Sequence, residues 1–84
     1  MKEDELTRTI LDLLSRIAPE VDPESIDRDE PLQRALDIDS FDFLNLLTAV
    51  RDEIGVTVDE ADYDKVGTVA GMVGFLLPRI PDST

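Results

Sequence analysis

The sequence predicts an all-α fold, a small four-helix bundle of three main helices and one short one, with a long loop between helices one and two. Two observations carry this reading. Apolar residues recur at helical spacing in three separate stretches, and between the first two of these Pro19, Pro23 and Pro31 interrupt the pattern. A chain of 84 residues has room for one thin core, so a single domain over 1–84 is expected, with its core at about 4–77 and a tail at 78–84. The 42% apolar content is enough for such a core and too high for a disordered acidic segment.

Leu6, Ile10, Leu13, Leu14 and Ile17 share one face of a helix over 4–17, with Asp4 as the expected N-cap and Pro19 just past its end. From residue 18 to residue 39 the periodicity fails. Ile26, Leu32, Leu36 and Ile38 are the expected anchors of this loop, and 31–36 the place for one helical turn opened by Pro31. The second helix runs over 40–54, between Asp39 as N-cap and Gly55 as a C-terminal stop. Its core face is Phe43, Leu46, Leu47, Val50 and Ile54, with Asp42, Asn45, Thr48, Asp52 and Glu53 opposite.

Val56 to Val58 forms an apolar link. Asp59 is expected to cap a short third helix through Asp64, with Asp62 completing a capping-box-like pair. The last helix starts at the N-cap Thr68 and reaches about Leu77, turning Val69, Met72, Val73 and Leu76 inward, and Pro78 and Pro81 are expected to end it before a frayed tail. Gly71 and Gly74 lie inside this helix, where each costs about 0.5–1 kcal/mol relative to Ala. Close packing is the favoured reason, ahead of a deliberately soft helix.

Composition removes several functions. With no Cys and no His, the chain has no disulfide framework, no zinc finger, and neither a Cys–His nor a Ser–His catalytic pair. Twenty acids against eight bases give a net charge of −12, which repels phosphate backbones, so nucleic acid is not an expected partner. No apolar run approaches the roughly 20 residues that span a bilayer. The mixed-charge start does not read as a signal peptide, so a cytoplasmic location without membrane insertion is expected. Asp37 and Asp39 match the first two ligand positions of an EF-hand calcium loop, but Phe41, Asp42 and Thr48 stand where that loop needs an oxygen ligand, a Gly and a Glu. No metal site is expected. So thin a domain offers little room for a substrate cleft between paired carboxylates, and no enzymatic activity is expected.

The second helix is more informative. Phe41 points to its polar side and Leu44 sits on the boundary, an apolar spot rimmed by charge of the kind that serves docking. Ser40 opens the same helix. A phosphate attached to its hydroxyl would face the unpaired N–H groups and the positive end of the helix dipole. Ser and Asp at helix starts also serve simply as caps, and isolated exposed apolar residues are common.

The run from Leu36 to Leu44, centred on Asp39-Ser40-Phe41, is followed at family spacing by the segment from Val58 to Asp62 and by Val66 to Val69 before the last helix. Through these residues, and over about 4–77, the chain resembles the acyl carrier proteins. The resemblance implies that a phosphopantetheinyl transferase joins 4′-phosphopantetheine from coenzyme A to Ser40, beside Asp39, and that the arm's thiol carries acyl groups as thioesters. It implies an acyl-lining role for Phe43, Leu46, Leu47, Val50, Val58, Val66 and Val69. The implied docking face for acyl-transferring and chain-modifying enzymes with basic patches is Phe41, Asp42, Leu44, Asn45, Thr48, Arg51 and Asp52. Nine acids in residues 20–42 and six in residues 52–64 flank that helix and would steer such partners.

The chain also departs from the family. Asp37 stands where Gly is frequent, Phe41 replaces the usual Leu, and Asn45, Thr48 and Arg51 occupy positions that housekeeping members fill with acids or Met. These differences point to a specialised carrier of fatty-acid-like, lipid or polyketide biosynthesis, expected to be a monomer. An aminoacyl or peptidyl carrier on the same arm, and an unmodified acidic interaction module anchored by Phe41 and Leu44, are the alternatives.

Overall fold

The computed structural model describes residues 2–80. Four α-helices form in chain order: α1 (Glu3–Ile17), the single turn α2 (Leu32–Ala35), α3 (Ser40–Ile54) and α4 (Val69–Leu76). Short 3-10 segments at Pro23–Ser25, Glu60–Val66 and Leu77–Arg79 join or extend them, and the described residues contain no strand. The chain is an all-α bundle, as its periodicity predicts.

Leu6, Ile10, Leu13 and Leu14 of α1 meet Phe43, Leu46, Leu47, Val50 and Ile54 of α3 and Val69, Met72, Val73 and Leu76 of α4 in one core. Phe75, which the sequence reading left unassigned, is buried with them. The guanidinium of Arg79 lies 3.8 Å from the Phe75 ring centroid and donates to the Phe75 carbonyl at 2.7 Å, so one cation both covers the ring and satisfies the helix end. Arg16 bridges Asp12 on its own helix at 2.8 Å and Glu53 at the end of α3 at 3.3 Å. Both pairs are exposed and contribute at most about 1 kcal/mol each.

Several helix ends differ from expectation. Helix α1 starts at Glu3 with Lys2 as N-cap, so Asp4 lies inside the first turn with Glu3 and Glu5. There the three acids face the positive end of the dipole without accepting a capping bond. Asp59 makes no side-chain cap, and the third helix is a 3-10 run continuing to Val66. The reason is local: the Asp62 N–H that the capping oxygen would receive already donates to the Asp59 carbonyl at 2.8 Å. Pro31 precedes its turn as the N-cap instead of joining it. The last α-helix ends at Leu76, just before Pro78 as expected, and Pro78 lies in the 3-10 turn that follows it. Pro81 and the expected frayed tail lie outside the described residues.

The long loop is clipped to the last helix. Leu32 N–H donates to the Gly67 carbonyl at 2.7 Å, and Ala70 N–H, an otherwise orphaned donor in the first turn of α4, reaches the Arg28 carbonyl at 2.9 Å. Thr68 supplies the next acceptor, its Oγ1 receiving Gly71 N–H at 2.9 Å. Leu32 and Leu36 are buried, while Ile26 and Ile38 are half-buried against the core, so all four expected anchors hold the loop down.

The two helical glycines separate. A Cβ at Gly71 would stand 2.5 Å from the Lys65 carbonyl oxygen and 3.0 Å from Thr68 Oγ1, whereas a Cβ at Gly74 meets nothing within 4 Å. Close packing therefore accounts for Gly71 and not for Gly74. Gly71→Ala is expected to destabilise by about 1–3 kcal/mol, and Gly74→Ala to stabilise by about 0.5–1 kcal/mol. Urea unfolding of the two variants beside the parent checks both signs.

Candidate functional site

The chain turns sharply between α2 and α3. Asp37 adopts φ 53°, the one non-glycine residue with positive φ among those described. Left-handed backbone is costly for most L-residues, but Asp and Asn visit it more readily because their short polar side chains bond locally. Position 37 is where the acyl carrier resemblance leads one to expect Gly, and the conformation supplies the physical reason. The turn brings Asp39 into an extended conformation at φ −89° and ψ −179°, the geometry of an N-cap.

From there α3 is capped from both ends of Asp39. Its Oδ1 accepts Asp42 N–H at 2.9 Å, and its carbonyl accepts Phe43 N–H at 3.1 Å. The N–H groups of Ser40 and Phe41, earlier in the same turn, are given no partner among the described residues by any turn, loop or side-chain hydrogen bond. Ser40 is exposed as the first residue of α3. An exposed hydroxyl at the positive end of a four-turn helix, next to uncommitted amide donors, suits a phosphate ester. The carboxylate of Asp39 is spent on the cap, which holds it toward the helix.

A groove of about 500 Å³ opens at Ser40, walled by Pro31, Phe43, Leu44 and Tyr63, with Gln33 and Asp64 also lining it. Beside it lies a second groove of about 320 Å³ that includes Leu47, Thr48, Arg51, Thr57 and Val58. Leu44 and Tyr63 border both. Tyr63 packs edge-to-face on Phe43, with ring centroids 6.3 Å apart at 84°.

The seven residues expected on a docking face lie along the outward side of α3. Phe41 is 70% exposed and Leu44 42%, and Asn45, Thr48, Arg51 and Asp52 are exposed with them, while Asp42 is half-buried. Arg51 stands 3.6 Å from Asp52, and Thr48 Oγ1 donates back to the Leu44 carbonyl at 3.1 Å. The residues expected to line an acyl site divide. Phe43 borders the groove at Ser40, Leu47 and Val58 border its neighbour, and Leu46, Val50, Val66 and Val69 are wholly buried in the core. Tyr63, Gln33 and Asp64 were not singled out by sequence. For Tyr63 a signal existed, since it is the chain's one tyrosine and stands among the acids of residues 59–64.

The family model for the phosphopantetheine attachment site matches residues 8–76. The chain is 32% identical over 76 residues to the acyl carrier protein of Lactobacillus johnsonii, covering 90% of this chain and 94% of that one. The chain belongs to the acyl carrier protein family. To the acyl carrier protein of Petrotoga mobilis it is 31% identical over 85 residues, covering 95% of this chain and 93% of the relative. To that of Thermotoga maritima it is 34% identical over 60 residues, covering 71% and 74%. The prosthetic group of this acyl carrier is 4′-phosphopantetheine, and the exposed hydroxyl, the uncommitted amides and the adjoining groove fit a group attached through phosphate. Among the described residues, no helix is long and apolar enough to cross a membrane.

If positive φ governs position 37, Asp37→Gly should be neutral to stabilising, by up to about 1 kcal/mol, whereas Asp37→Val should lose about 1–2 kcal/mol because a β-branched residue resists the left-handed region. Chemical denaturation of both variants checks the order.

Proposed function

We propose that Ser40 is the point of attachment and that this carrier holds acyl groups for enzymes acting on them in turn, itself catalysing nothing. Bound there, 4′-phosphopantetheine supplies a terminal thiol that holds an acyl group as a thioester. The observation that supports this most is the placement of Ser40: exposed, first in α3, with uncommitted N–H groups beside it and a capped helix behind it. The amides and the dipole offset part of the charge of a phosphodiester in so acidic a surrounding.

The rest of α3 supports presentation to partners. A phosphopantetheinyl transferase and the acyl-handling enzymes that follow would meet Phe41 and Leu44 as apolar contacts on a charged face. The acids of residues 20–42 and 52–64 would draw basic patches toward that face, acting more on encounter rate than on affinity. Asn45, Thr48 and Arg51 interrupt the acidity on the helix itself. This favours dedicated partners in a specialised fatty-acid-like, lipid or polyketide pathway of the cytoplasm, served by a monomeric carrier.

Incubation with coenzyme A, magnesium and a broad-specificity phosphopantetheinyl transferase, followed by intact mass measurement, tests the assignment. The parent chain should gain the mass of one phosphopantetheine and Ser40→Ala none. An unmodified parent, or a gain that survives Ser40→Ala, would contradict it.

A further inference from the structure

In a chain with twenty acids, α3 carries none after Asp42 until Asp52, and between them Arg51 is the one charged residue. At 1.5 Å per residue this separates the two carboxylates by roughly 15 Å of helix. The groove of about 320 Å³ beside this stretch has the same character: Leu44, Leu47, Val58 and Tyr63 line it with two threonines and Arg51, and no acid does. The guanidinium of Arg51 is little committed. Among the described residues its one ion pair is with Asp52, 3.6 Å from Nε, and both side chains are more than half exposed, so the pair contributes little. Successive residues on a helix point about 100° apart, so Asp52 does not follow Arg51 over the groove. Thr48 spends its hydroxyl on the Leu44 carbonyl at 3.1 Å, whereas those of Thr57 and Tyr63 donate to no group among the described residues. Leu47 and Val58, both buried, complete the groove with apolar wall.

We propose that this groove receives an acidic side chain of a partner enzyme, a Glu or Asp set beside an apolar residue, and that Arg51 is the contact that selects it. This inference rests on the proposed use of α3 to present a load to partners. Charge complementarity names the occupant. A guanidinium pairs with a carboxylate through two parallel N–H donors, and the hydroxyls of Thr57 and Tyr63 stand on the same groove as further donors. The apolar neighbour of that carboxylate lies against Leu44, Leu47 and Val58, where displaced water leaves the pair less screened. A Lys or Arg of the partner at this place meets Arg51 as a like charge and is rejected. The matching surface therefore has two signs, basic opposite Asp39 and Asp42 at the head of α3 and acidic opposite Arg51 further along. Opposite charges set apart in this way also fix the direction in which the partner lies on the helix. A second copy of this chain fits less well, because a net charge of −12 opposes self-association.

The test uses the full chain, isotopically labelled, and two lactam-bridged helical peptides that differ at one residue. Both present a Leu, followed four positions on by Glu in one peptide and by Lys in the other. Titrations followed by backbone amide shifts at low salt should place the Glu peptide at Thr48, Arg51, Thr57 and Val58, with the Lys peptide about tenfold weaker there. Arg51→Gln should weaken the Glu peptide by about fivefold or more, and Arg51→Glu should reverse the preference between the two. Arg51 is exposed, and thermal melting of both variants checks that the fold is kept. Equal binding of the two peptides in the groove, or a Glu peptide indifferent to Arg51→Gln, would overturn the role of Arg51. Shifts confined to other faces, or no binding of either peptide, would overturn the groove as a docking site. Failure of Ser40 to gain phosphopantetheine in the mass assay would instead overturn the carrier reading, and it leaves the peptide result unaltered.

Discussion

The arrangement depends on how the long second loop is held. It carries three prolines and many acids and has no continuous helix of its own, yet it must deliver Asp39 and Ser40 to one place at the head of α3. Backbone hydrogen bonds do this where side chains are too few: Arg28 accepts from Ala70 and Leu32 donates to Gly67. The first of these also completes the capping of α4, so the same bond that closes a helix end fixes the loop. With Leu32 and Leu36 buried beneath it, α2 is immobilised, and the left-handed turn at Asp37 then sends the chain into α3 with its first hydroxyl outward.

Once that geometry is set, the chemistry of the site is mostly backbone chemistry. Asp39 satisfies two N–H groups of α3 through its side chain and its carbonyl, leaving those of Ser40 and Phe41 uncommitted, as the proposed attachment of a phosphate at Ser40 requires. On the proposed reading, a chain with no Cys and no His needs from Ser40 only exposure and position. The reactive thiol arrives with the prosthetic group. Around Ser40 the protein places the N-terminal end of a helix, the exposed apolar side chains of Phe41 and Leu44, and two grooves whose walls both include Leu44 and Tyr63.

Much of this was legible in the sequence because it rests on strong local signals. Helix α3 begins and ends where Asp39 and Gly55 predict, Gly55 taking φ 87° as a left-handed C-cap should, and its core face is the predicted arc. Thr68 caps α4 as expected. Weak signals misled: Asp4 and Asp59 are good capping residue types at positions where the backbone had already found another arrangement. The features that escaped are tertiary. The loop clip joins residues far apart in sequence, Leu32 to Gly67 and Arg28 to Ala70, through main-chain atoms, which carry no residue-type signature at all. Tyr63 likewise becomes a wall only when the 3-10 run places it over Phe43. The reason for Gly71 required knowing where the Lys65 carbonyl lies.

Amide hydrogen exchange at Leu32 and Ala70 tests the central constraint most directly, because these are the two donors that hold the loop. Both should exchange as slowly as amides in the middle of α3, opening only when the whole domain unfolds. Exchange at either as fast as that of the exposed loop amides would contradict the account, since the loop would then be held by its apolar anchors alone and the position of Ser40 would not depend on the clip.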